Sequence, residues 1–429
     1  MNIKKKLLLK INSKKAKIGI IGMGYVGLPL AINFAKNKFF TTGFDNDLEK
    51  IRKLKKNISY IKHVKNKSLV EVKNKFSFSE KLSDIKYLDI IIICLPTPLD
   101  KNKNPDLSYI KNTLRKMKKF LTVGKLIILE SSTYPGCTRS IMSEILFKTK
   151  FKLGNNIFVG YSPEREDPNN KKYNIKNIPK ICSGLTKNCS LLTSSIYKKI
   201  VNKIVSISKV EIAEFTKIYE NTYRSVNIAL TNELKILAYK LNIDIHEVIK
   251  AAKTKPFGFQ AFYPGPGVGG HCIPIDPYYL SWVAKKNKIK TNFIFHAGKT
   301  NSKMPRWIVR ESLKKNNIKK ALIIGVAYKK DLDDTRESPS IDVIKILEKK
   351  KIIVDFFDPN VKYLKSRKLN KDKKSKMSLN SSMLRKYDAV YILTDHSNVD
   401  YKLIQKNSKL IIDTRNVYSK ENEKKILKL

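Results

Sequence analysis

The segment from Lys17 to Lys36, KIGIIGMGYVGLPLAINFAK, decides the fold of the N-terminal part of the chain. An apolar run from Lys17 to Gly22 has the character of a buried strand, and Leu28 to Lys36 has the apolar spacing of a helix. A second strand is expected from Phe39 to Phe44. A strand, a glycine-rich turn, a helix and a strand in this order predict a βαβ unit and therefore a parallel sheet.

The turn Gly22-Met23-Gly24-Tyr25-Val26-Gly27 fits the G-x-G-x-x-G pattern of dinucleotide-binding folds. Gly22 permits a tight turn, Gly24 lets the backbone approach a pyrophosphate, and Gly27 lets the helix pack closely on the strand. The phosphates then face the unpaired N–H groups of the helix N-terminus. For the glycines alone, a chance turn or an FAD site is the alternative interpretation.

Asp45 favours NAD among the dinucleotides. It lies 18 residues beyond Gly27, at the end of the second strand, where a carboxylate binds the adenosine ribose and repels the 2′-phosphate of NADP. Taken alone, Asp45 also fits a solvated residue at a strand end. The loops after two later strands carry Thr97 and Thr133, at the sheet edge where ligands bind. The predicted NAD-binding residues are Gly22, Gly24, Tyr25, Val26, Gly27, Asp45, Thr97 and Thr133.

A long helix is predicted from Val210 to Leu241, with apolar residues at helical spacing. Such a helix bridges domains or forms the core of a dimer, because one small domain cannot cover it. Lys217 and Asn221 are four residues apart and share one face, which the apolar stripe indicates is turned inward. A solvated position is the alternative for Lys217. The stripe consists of Phe215, Ile218, Tyr219, Thr222, Val226, Leu230, Leu234, Leu237 and Leu241.

An α/β pattern resumes after this helix. Strands are predicted at 321–326, 352–357, 389–393 and 410–413, with a helix after Pro339, and the Lys- and Ser-rich stretch 362–382 is predicted to be a mobile loop. The predicted fold class is α/β, with two Rossmann-like doubly wound domains joined by a long central helical domain. The predicted domains are 1–208, which binds NAD, 209–305, which carries the central helix, and 306–429.

Composition narrows the class of protein. The 87 Lys and Arg residues exceed the 37 Asp and Glu residues, for a net charge of +50, which raises the alternative of a basic nucleic-acid-binding protein with a non-catalytic Rossmann fold. The excess is mostly lysine spread along the chain, whereas nucleic-acid readers favour clustered arginine with aromatics, so no nucleic-acid partner is predicted. A positive field still favours a polyphosphate substrate. No apolar run reaches the roughly 18 residues of a membrane helix, residues 1–17 read as a basic leader, and five scattered cysteines indicate a reducing, cytoplasmic location.

The stretch from Phe262 to Pro277, FYPGPGVGGHCIPIDP, is too rich in glycine and proline for a regular element. Such a loop brings its backbone close to a ligand and presents a thiol beside it, so Cys272 is the candidate nucleophile. Asp276 follows four residues later as a possible base. Most cysteines without a disulfide are small buried hydrophobes, and this is the alternative for Cys272. Cys137, in a Pro-Gly loop, is a rival nucleophile without an accompanying acid.

Together these segments resemble the UDP-glucose and GDP-mannose dehydrogenase family from Lys17 to Tyr418. Three motifs occur in the order of the family: Ser-Pro-Glu-Arg at 162–165, Gly-Gly-His-Cys-Ile-Pro-x-Asp-Pro at 269–277, and Gly-x-Ala-Tyr-Lys-Lys-Asp from 325. Within the family, the first motif and Phe-Tyr-Pro-Gly-Pro-Gly are most similar to the UDP-N-acetylglucosamine 6-dehydrogenases. Cys137 stands where threonine is common, and Asn169 where glycine is common.

The resemblance implies a two-step, NAD-dependent oxidation of a sugar C6 alcohol to a carboxylate through a thiohemiacetal and a thioester on Cys272. It implies that Lys217 and Asn221 stabilise oxyanions and that Asp276, Glu164 and Thr133 manage water and protons. An ion pair with a lysine is the alternative for Glu164. Lys329 and Arg336 are expected to bind the UDP-sugar. The implied substrate-binding residues are Glu164, Arg165, Lys217, Asn221, Phe262, Tyr263, Gly267, Lys329 and Arg336.

The substrate implied by the resemblance is UDP-N-acetylglucosamine or UDP-N-acetylgalactosamine. UDP-glucose and UDP-N-acetylmannosamine are the alternatives, because they share the chemistry and differ elsewhere on the ring. The expected partners are this UDP-sugar and a second copy of the chain in a homodimer. No metal and no membrane partner are expected, and the expected pathway is polysaccharide biosynthesis.

Overall fold

A computed structural model describes residues 2–145, 151–167, 170, 172–314, 316–419 and 423–429. The chain divides into two compact units, Met1–Glu220 with Trp282–Asn287, and Asn221–Ser281 with Lys288–Leu429. Asn169 lies outside the described residues.

The first unit is an α/β unit. Its elements are α1 (Ile3–Asn12), β1 (Ile18–Ile21), α2 (Gly27–Lys36), β2 (Thr41–Phe44), α3 (Leu48–Lys55), α4 (Asn66–Val70), β3 (Phe76–Ser79), a 3-10 helix (Leu82–Tyr87), β4 (Ile90–Ile93), α5 (Ser108–Lys118), β5 (Lys125–Leu129), α6 (Cys137–Ile145), β6 (Ile157–Tyr161), β7 (Lys180–Gly184), α7 (Lys187–Tyr197), β8 (Ile204–Ser206) and the start of α8 (Val210–Lys240).

The strands of this unit form one sheet in the order β3-β2-β1-β4-β5-β6-β7-β8. All neighbouring strands are parallel except β6 and β7. The central strand β4, four consecutive isoleucines, is buried on both faces. Ile90 and Ile92 enter one core cluster, and Ile91 and Ile93 enter another. Helices on both faces explain this uninterrupted apolar run, and the carboxyl ends of β1, β2, β4 and β5 meet at one edge.

The basic leader contains a helix that the sequence analysis missed. In α1, Leu7 and Ile11 are buried and four residues apart, and the helix packs against α7. The Asn2 side chain accepts a hydrogen bond from the Lys4 N–H and caps the helix. The surrounding lysines obscured this short apolar face.

The predicted long helix is present as α8, but only part of its apolar stripe, including Ile218 and Thr222, is buried in the single chain. Leu230, Leu234, Leu237 and Leu241 are between 43% and 59% exposed in the single chain. The buried positions include polar residues that make specific hydrogen bonds. The buried face of α8 therefore combines polar residues with apolar ones such as Ala213 and Ile218. Among these buried positions are Glu214, Asn221, Ser225, Asn232 and Lys235.

The second unit carries the rest of α8 and a second sheet. Its further elements are α9 (Ile245–Ala252), most of α10 (Asp276–Lys286), α11 (Asn292–Leu313), β9 (Lys320–Ile324), α12 (Pro339–Lys349), β10 (Ile353–Phe357), β11 (Tyr363–Leu364), β12 (Lys373–Lys374), α13 (Ser381–Leu384), β13 (Ala389–Ile392), α14 (Tyr401–Asn407), β14 (Ile411–Asp413) and β15 (Ile426–Lys428).

This second sheet is parallel, in the order β10-β9-β13-β14-β15, with a core cluster on each face. The stretch predicted as a mobile loop at 362–382 contains the short antiparallel pair β11–β12. Its lysines hide two-residue strands from a pattern analysis. The predicted α/β class with a long central helix is confirmed. None of the helices in the described ranges combines the length and apolar character that a membrane crossing needs.

Candidate active site

The glycine-rich turn of the first unit has the backbone geometry that a dinucleotide site requires. Gly22 has a φ of +96°, which favours glycine. A Cβ at Gly27 would lie 1.9 Å from the carbonyl oxygen of Gly22, so a side chain there would push helix α2 away from β1. A Cβ at Gly24 would meet no described atom within 4 Å. The turn thus combines close packing at Gly27 with an accessible backbone at Gly24, where a pyrophosphate can approach.

Asp45 stands at the end of β2 and holds this turn. Its Oδ2 accepts a hydrogen bond from the Met23 N–H at 2.9 Å, and its Oδ1 accepts one from the Asp47 N–H at 3.0 Å. The Lys50 ammonium lies 3.7 Å from Oδ2. The carboxylate is therefore fixed at the position where a ribose is expected.

The start of helix α2 suits a bound phosphate. Val26 occupies the N-cap position, and no side chain in the described part of the chain caps the helix, so backbone N–H groups face the turn. Tyr25 stacks on His63 with ring centroids 5.8 Å apart. The glycine turn, the fixed Asp45 and this helix end fit NAD.

Thr97 and Thr133 are both buried and fasten the loops that carry them. The Thr97 hydroxyl donates to the Ser132 carbonyl oxygen at 2.8 Å, joining the loop after β4 to the loop after β5. The Thr133 hydroxyl lies 3.3 Å from Oε1 of Glu214 on α8. Both threonines lie at the cofactor edge of the sheet, but they contact protein groups there.

Glu164, after β6, is held by a buried lysine. Its Oε2 lies 2.9 Å from Nζ of Lys180, and its Oε1 accepts the N–H groups of Arg165 and Glu166, each at 2.7 Å. Lys180 also lies 3.1 Å from Oε1 of Glu130. Although burial opposes ionisation, the Lys180 ammonium and these hydrogen bonds keep the pKa of Glu164 below its usual value. The lysine ion pair considered as the alternative for Glu164 is therefore present.

Arg165 and Lys217 differ in their surroundings. Arg165 pairs with Glu220 through Nη2 at 2.5 Å and donates to the Pro179 carbonyl oxygen at 2.8 Å. Lys217 is half-buried on α8, and its ammonium makes no hydrogen bond or ion pair with the described residues. Lys217 is thus a cation available to a ligand, whereas Arg165 already serves a structural pair.

The cysteine loop of the second unit packs on the loop after β9. A Cβ at Gly270 would lie 2.9 Å from the Tyr328 ring, and one at Gly269 would lie 2.6 Å from the Tyr328 Cβ. The Gly270 N–H donates to the Arg336 carbonyl oxygen at 2.9 Å. Glycine at both positions therefore permits a close approach that fixes the segment leading to Cys272.

Cys272 precedes the first turn of α10 and is partly exposed. Its carbonyl oxygen accepts hydrogen bonds from the N–H of Ile275 at 3.1 Å and of Asp276 at 2.8 Å. Asp276 is buried, and its Oδ2 accepts a 2.6 Å hydrogen bond from Nδ2 of Asn221. Cys272 and Asp276, predicted from the loop motif, and Asn221, predicted from the long helix, are thus joined by backbone and side-chain contacts.

His271 is neutral at physiological pH. Burial, followed by the Arg336 guanidinium, lowers the pKa of His271 to about 4. The imidazole next to Cys272 therefore supplies no positive charge to the thiol.

Other residues predicted to contact the substrate also lie in the second unit. Phe262 packs edge-on against Tyr223 with ring centroids 5.9 Å apart, and Tyr263 stacks on His246 at 6.3 Å. Gly267 has a φ of +129°. These contacts shape the loop before Cys272.

The turn after β9 differs from the first glycine turn. Oδ2 of Asp358 accepts hydrogen bonds from the N–H groups of Val326 at 2.7 Å and Ala327 at 3.0 Å. A carboxylate therefore already occupies backbone donors equivalent to those offered to a dinucleotide. Lys329 follows this turn and is partly exposed. The Arg336 guanidinium pairs with Asp334 at 2.6 Å and is 47% exposed.

The structure draws attention to three charged residues that the sequence analysis did not single out. Lys180 begins a buried strand, a position where lysine is unusual. Glu214 is fully buried on α8 among residues of a predicted apolar stripe. Arg415 follows β14 and donates to the Leu393 carbonyl oxygen at 2.8 Å, and burial lowers its pKa. The sequence feature that could have identified Lys180 and Glu214 is a charged residue inside an otherwise apolar strand or helix face.

The rival nucleophile Cys137 is buried at the start of α6. Burial, with a smaller contribution from Glu214, raises the pKa of its thiol well above the usual range. Formation of the reactive thiolate is therefore unfavourable at Cys137.

Comparison with known proteins gives matches along most of the chain. Family models described as the NAD binding, central and UDP binding domains of the UDP-glucose/GDP-mannose dehydrogenase family match residues 16–201, 211–303 and 322–420. The UDP-N-acetyl-D-glucosamine 6-dehydrogenase of Pseudomonas aeruginosa is 35% identical over 355 residues, which cover 81% of this chain and 83% of the relative. The UDP-N-acetyl-D-mannosamine dehydrogenase of Pyrococcus horikoshii is 32% identical, covering 94% and 96%. A solved structure of UDP-D-ManNAc dehydrogenase from Pyrococcus horikoshii has a TM-score of 0.84 at 30% identity, covering 96% of this chain and 98% of that one.

Proposed function

This chain belongs to the UDP-glucose/GDP-mannose dehydrogenase family, and on that premise we propose that it oxidises C6 of a UDP-N-acetylhexosamine. It is an NAD-dependent nucleotide-sugar dehydrogenase. The proposed substrate is UDP-N-acetylglucosamine or its C4 epimer UDP-N-acetylgalactosamine, and the product is the uronic acid. Support comes from the loop motifs and from the similarity to the Pseudomonas aeruginosa enzyme.

The proposed reaction uses Cys272 as a covalent nucleophile. One alcohol, two NAD⁺ and one water give one carboxylate, two NADH and three protons. NAD, when bound, accepts one hydride in each oxidation. The Cys272 thiolate adds to the C6 aldehyde to form a thiohemiacetal, whose oxidation leaves a thioester. Water then breaks the carbon–sulfur bond and releases the acid and the thiol.

Asn221 and Lys217 are the proposed stabilisers of negative charge on the C6 oxygen. The bond to Asp276 fixes the Asn221 amide, so its second N–H is oriented without reorganisation. Lys217 supplies a cation that the described residues leave uncompensated. One such donor contributes about 3 kcal/mol in comparable sites. Asp276, Glu164 and Thr133 are proposed to order water and move protons.

The sugar nucleotide is proposed to contact the substrate-binding residues that the family resemblance implies. Lys329 and Arg336 are assigned to its phosphates and sugar because they flank a turn whose backbone donors are taken by Asp358. The full proposed set is Glu164, Arg165, Lys217, Asn221, Phe262, Tyr263, Gly267, Lys329 and Arg336.

The observation that carries the proposal is the ordered connection between Cys272, Asp276 and Asn221. Purified protein is tested by NADH release with UDP-N-acetylglucosamine, UDP-N-acetylgalactosamine, UDP-N-acetylmannosamine and UDP-glucose. Cys272→Ser is expected to abolish acid formation while NAD binding persists. Cys137→Ser is the matched control and is expected to retain activity. Full activity of Cys272→Ser would exclude the covalent mechanism.

UDP-N-acetylmannosamine is the second candidate substrate. It is favoured by the similarity to the Pyrococcus horikoshii enzyme, which extends over 94% of this chain. The two substrates share C6 chemistry and differ at C2, so the sugar panel separates them by kcat/KM.

We also propose that the chain forms a homodimer through α8. Leu230, Leu234 and Leu237 on α8 and Leu241 just after its end recur at intervals of four, three and four residues and are exposed. This spacing is typical of a helix-pairing seam, and a second copy offers the same apolar surface.

The remaining assignments are proposals of the same kind. The domain division at 1–208, 209–305 and 306–429 parallels the three segments matched by the family models. A cytoplasmic location and a role in supplying uronic acids for polysaccharide synthesis follow from the proposed reaction. No nucleic-acid partner is proposed.

A further inference from the structure

The carboxylate of Glu214 accepts several hydrogen bonds from one segment of the chain. Its Oε1 accepts hydrogen bonds from the Thr138 hydroxyl at 2.6 Å, the Thr138 N–H at 2.8 Å and the Thr133 hydroxyl at 3.3 Å. Its Oε2 accepts the Gly136 N–H at 2.6 Å. The side chain is fully buried. One carboxylate therefore fastens the end of the β5–α6 loop and the first turn of α6 to helix α8.

This arrangement is more than a helix cap. A capping carboxylate usually belongs to the residue just before the helix, whereas Glu214 lies 76 residues from Thr138. It therefore joins two elements distant in sequence, the loop at the cofactor edge and α8. Lys217 follows Glu214 by three residues on α8 and so lies on an adjacent face one turn later.

We infer that Glu214 is a positioning residue that sets Thr133 and its loop relative to Lys217 for NAD binding and oxidation of the sugar. The inference rests on the proposed function for the role of Thr133. Its consequence for NAD binding is measurable without a sugar substrate.

The charge state of Glu214 makes the fastening sensitive to pH. Burial raises the pKa of Glu214 to about 7, against the opposing effect of the hydrogen bonds from Thr138 and Gly136. Among the described residues, the titratable groups that interact with it are Glu211 on α8, Tyr134 in the loop before α6 and Cys137 at the start of α6. Glu211 is paired with Arg139 at 2.7 Å. Above about pH 7 the carboxylate is ionised and accepts all four donors, and below it a proton competes with them.

The test compares Glu214→Gln with Glu233→Gln, a substitution of an exposed glutamate on the same helix. Glutamine keeps the shape of the side chain but presents an NH₂ group to N–H donors. We expect Glu214→Gln to weaken NAD binding, measured by fluorescence titration, by about 10-fold or more, because the loop at the cofactor edge loses its fastening to α8. Hydrogen exchange is expected to accelerate in peptides covering Gly136 and Thr138. Glu233→Gln is expected to change neither NAD affinity nor hydrogen exchange in these peptides.

The pH profile separates positioning from a general loss of structure. In the wild type, kcat/KM for NAD is expected to decrease as the pH is lowered through about 7. Glu214→Gln is expected to lack this decrease, which is called the acid limb of the pH profile. Glu214→Asp, which keeps the charge, is expected to recover part of the affinity. If Glu214→Gln fails to fold, Thr138→Val removes one donor and leaves the carboxylate, and is expected to weaken NAD binding with the wild-type pH limb retained.

Unchanged NAD affinity and unchanged exchange in Glu214→Gln would overturn the inference. The same holds if Thr133→Val and Glu214→Gln act additively on NAD binding, because a positioning residue loses its effect once the group it positions is removed. Absence of oxidation of every UDP-sugar by the wild type would instead contradict the proposed function, while the NAD and exchange measurements still decide the role of Glu214.

Discussion

Nδ2 of Asn221 lies 2.6 Å from Oδ2 of Asp276, and both side chains are buried. Asn221→Ala removes the donor and leaves a buried carboxylate with one hydrogen bond fewer. The expected cost is about 1–3 kcal/mol of folding free energy, together with a fall in kcat of about 100-fold or more from the lost oxyanion donor. Urea unfolding and steady-state kinetics measure the two effects. Asn227→Ala is the control, since the exposed hydrogen bond of the Asn227 side chain runs to the Tyr223 carbonyl oxygen within α8. An equal loss in this variant would contradict the assignment.

Lys180 holds two carboxylates, Glu130 and Glu164, inside the first unit and is itself 4% exposed. Lys180→Met leaves both acids without their counterion, so we expect a loss of about 3–5 kcal/mol of stability. Removal of the cation also raises the pKa of Glu164. Unfolding by urea provides the measurement.

The matched control for Lys180 is Lys111, which pairs with Glu144 on the surface. Lys111→Met is expected to cost at most about 1 kcal/mol, because exposed ion pairs contribute little. Similar losses in the two variants would show that burial of the Lys180 pair is not decisive.

Alanine substitutions at Gly27 and Gly24 of the NAD turn are expected to affect stability and NAD binding differently. Gly27→Ala places a Cβ 1.9 Å from the Gly22 carbonyl oxygen, so both Tm and NAD binding are expected to fall. Gly24→Ala meets no described atom within 4 Å, so Tm is expected to hold while NAD affinity falls, because a methyl group blocks the pyrophosphate. Thermal unfolding and NAD titration separate the cases, and retention of NAD affinity in Gly24→Ala would place the cofactor elsewhere.

The neutral His271 predicts a stability that depends on pH. Its pKa is about 4 in the folded chain and about 6.5 when exposed, so the unfolded chain binds the extra proton between these values. Stability from this group is present above about pH 6.5 and is lost as the pH falls toward 4. Tm measured across this range is expected to decline less in His271→Gln than in the wild type. Parallel declines would show that another group controls the acid limb.

Exposed leucines on α8 predict the oligomeric state. Leu234→Glu combined with Leu237→Glu is expected to convert a dimer into a monomer, because each charge would be buried in the proposed seam. Sedimentation equilibrium measures the mass. Leu191→Glu on α7, at a similar exposure of 46%, is expected to leave the dimer intact; a monomeric wild type would remove the proposal.

The sequence by itself determined the family, the enzyme class, the cofactor NAD and the α/β fold, all of which are confirmed. The reason is that these features depend on local geometry. A Cβ at Gly27 would clash with the Gly22 carbonyl oxygen within the same turn. The four isoleucines of β4 indicate a strand that is buried on both faces. The glycine-rich segment before Cys272 similarly indicated a loop that packs closely on its neighbours, as Gly269 and Gly270 do on Tyr328. The roles assigned to the residues of this loop stay predictions.

Only the tertiary structure decided which polar groups meet. Lys180 and Glu130 lie 50 residues apart in sequence, yet their charges lie 3.1 Å apart. Glu214 reaches a loop 76 residues earlier. The apolar stripe of α8 suggested one inward face, but Leu230, Leu234 and Leu237 of that stripe are exposed in the single chain, whereas the polar residues Glu214 and Asn221 are buried. The spacing of apolar residues indicates which face of a helix is apolar. It does not indicate which other segment of the chain, or which second chain, packs against that face.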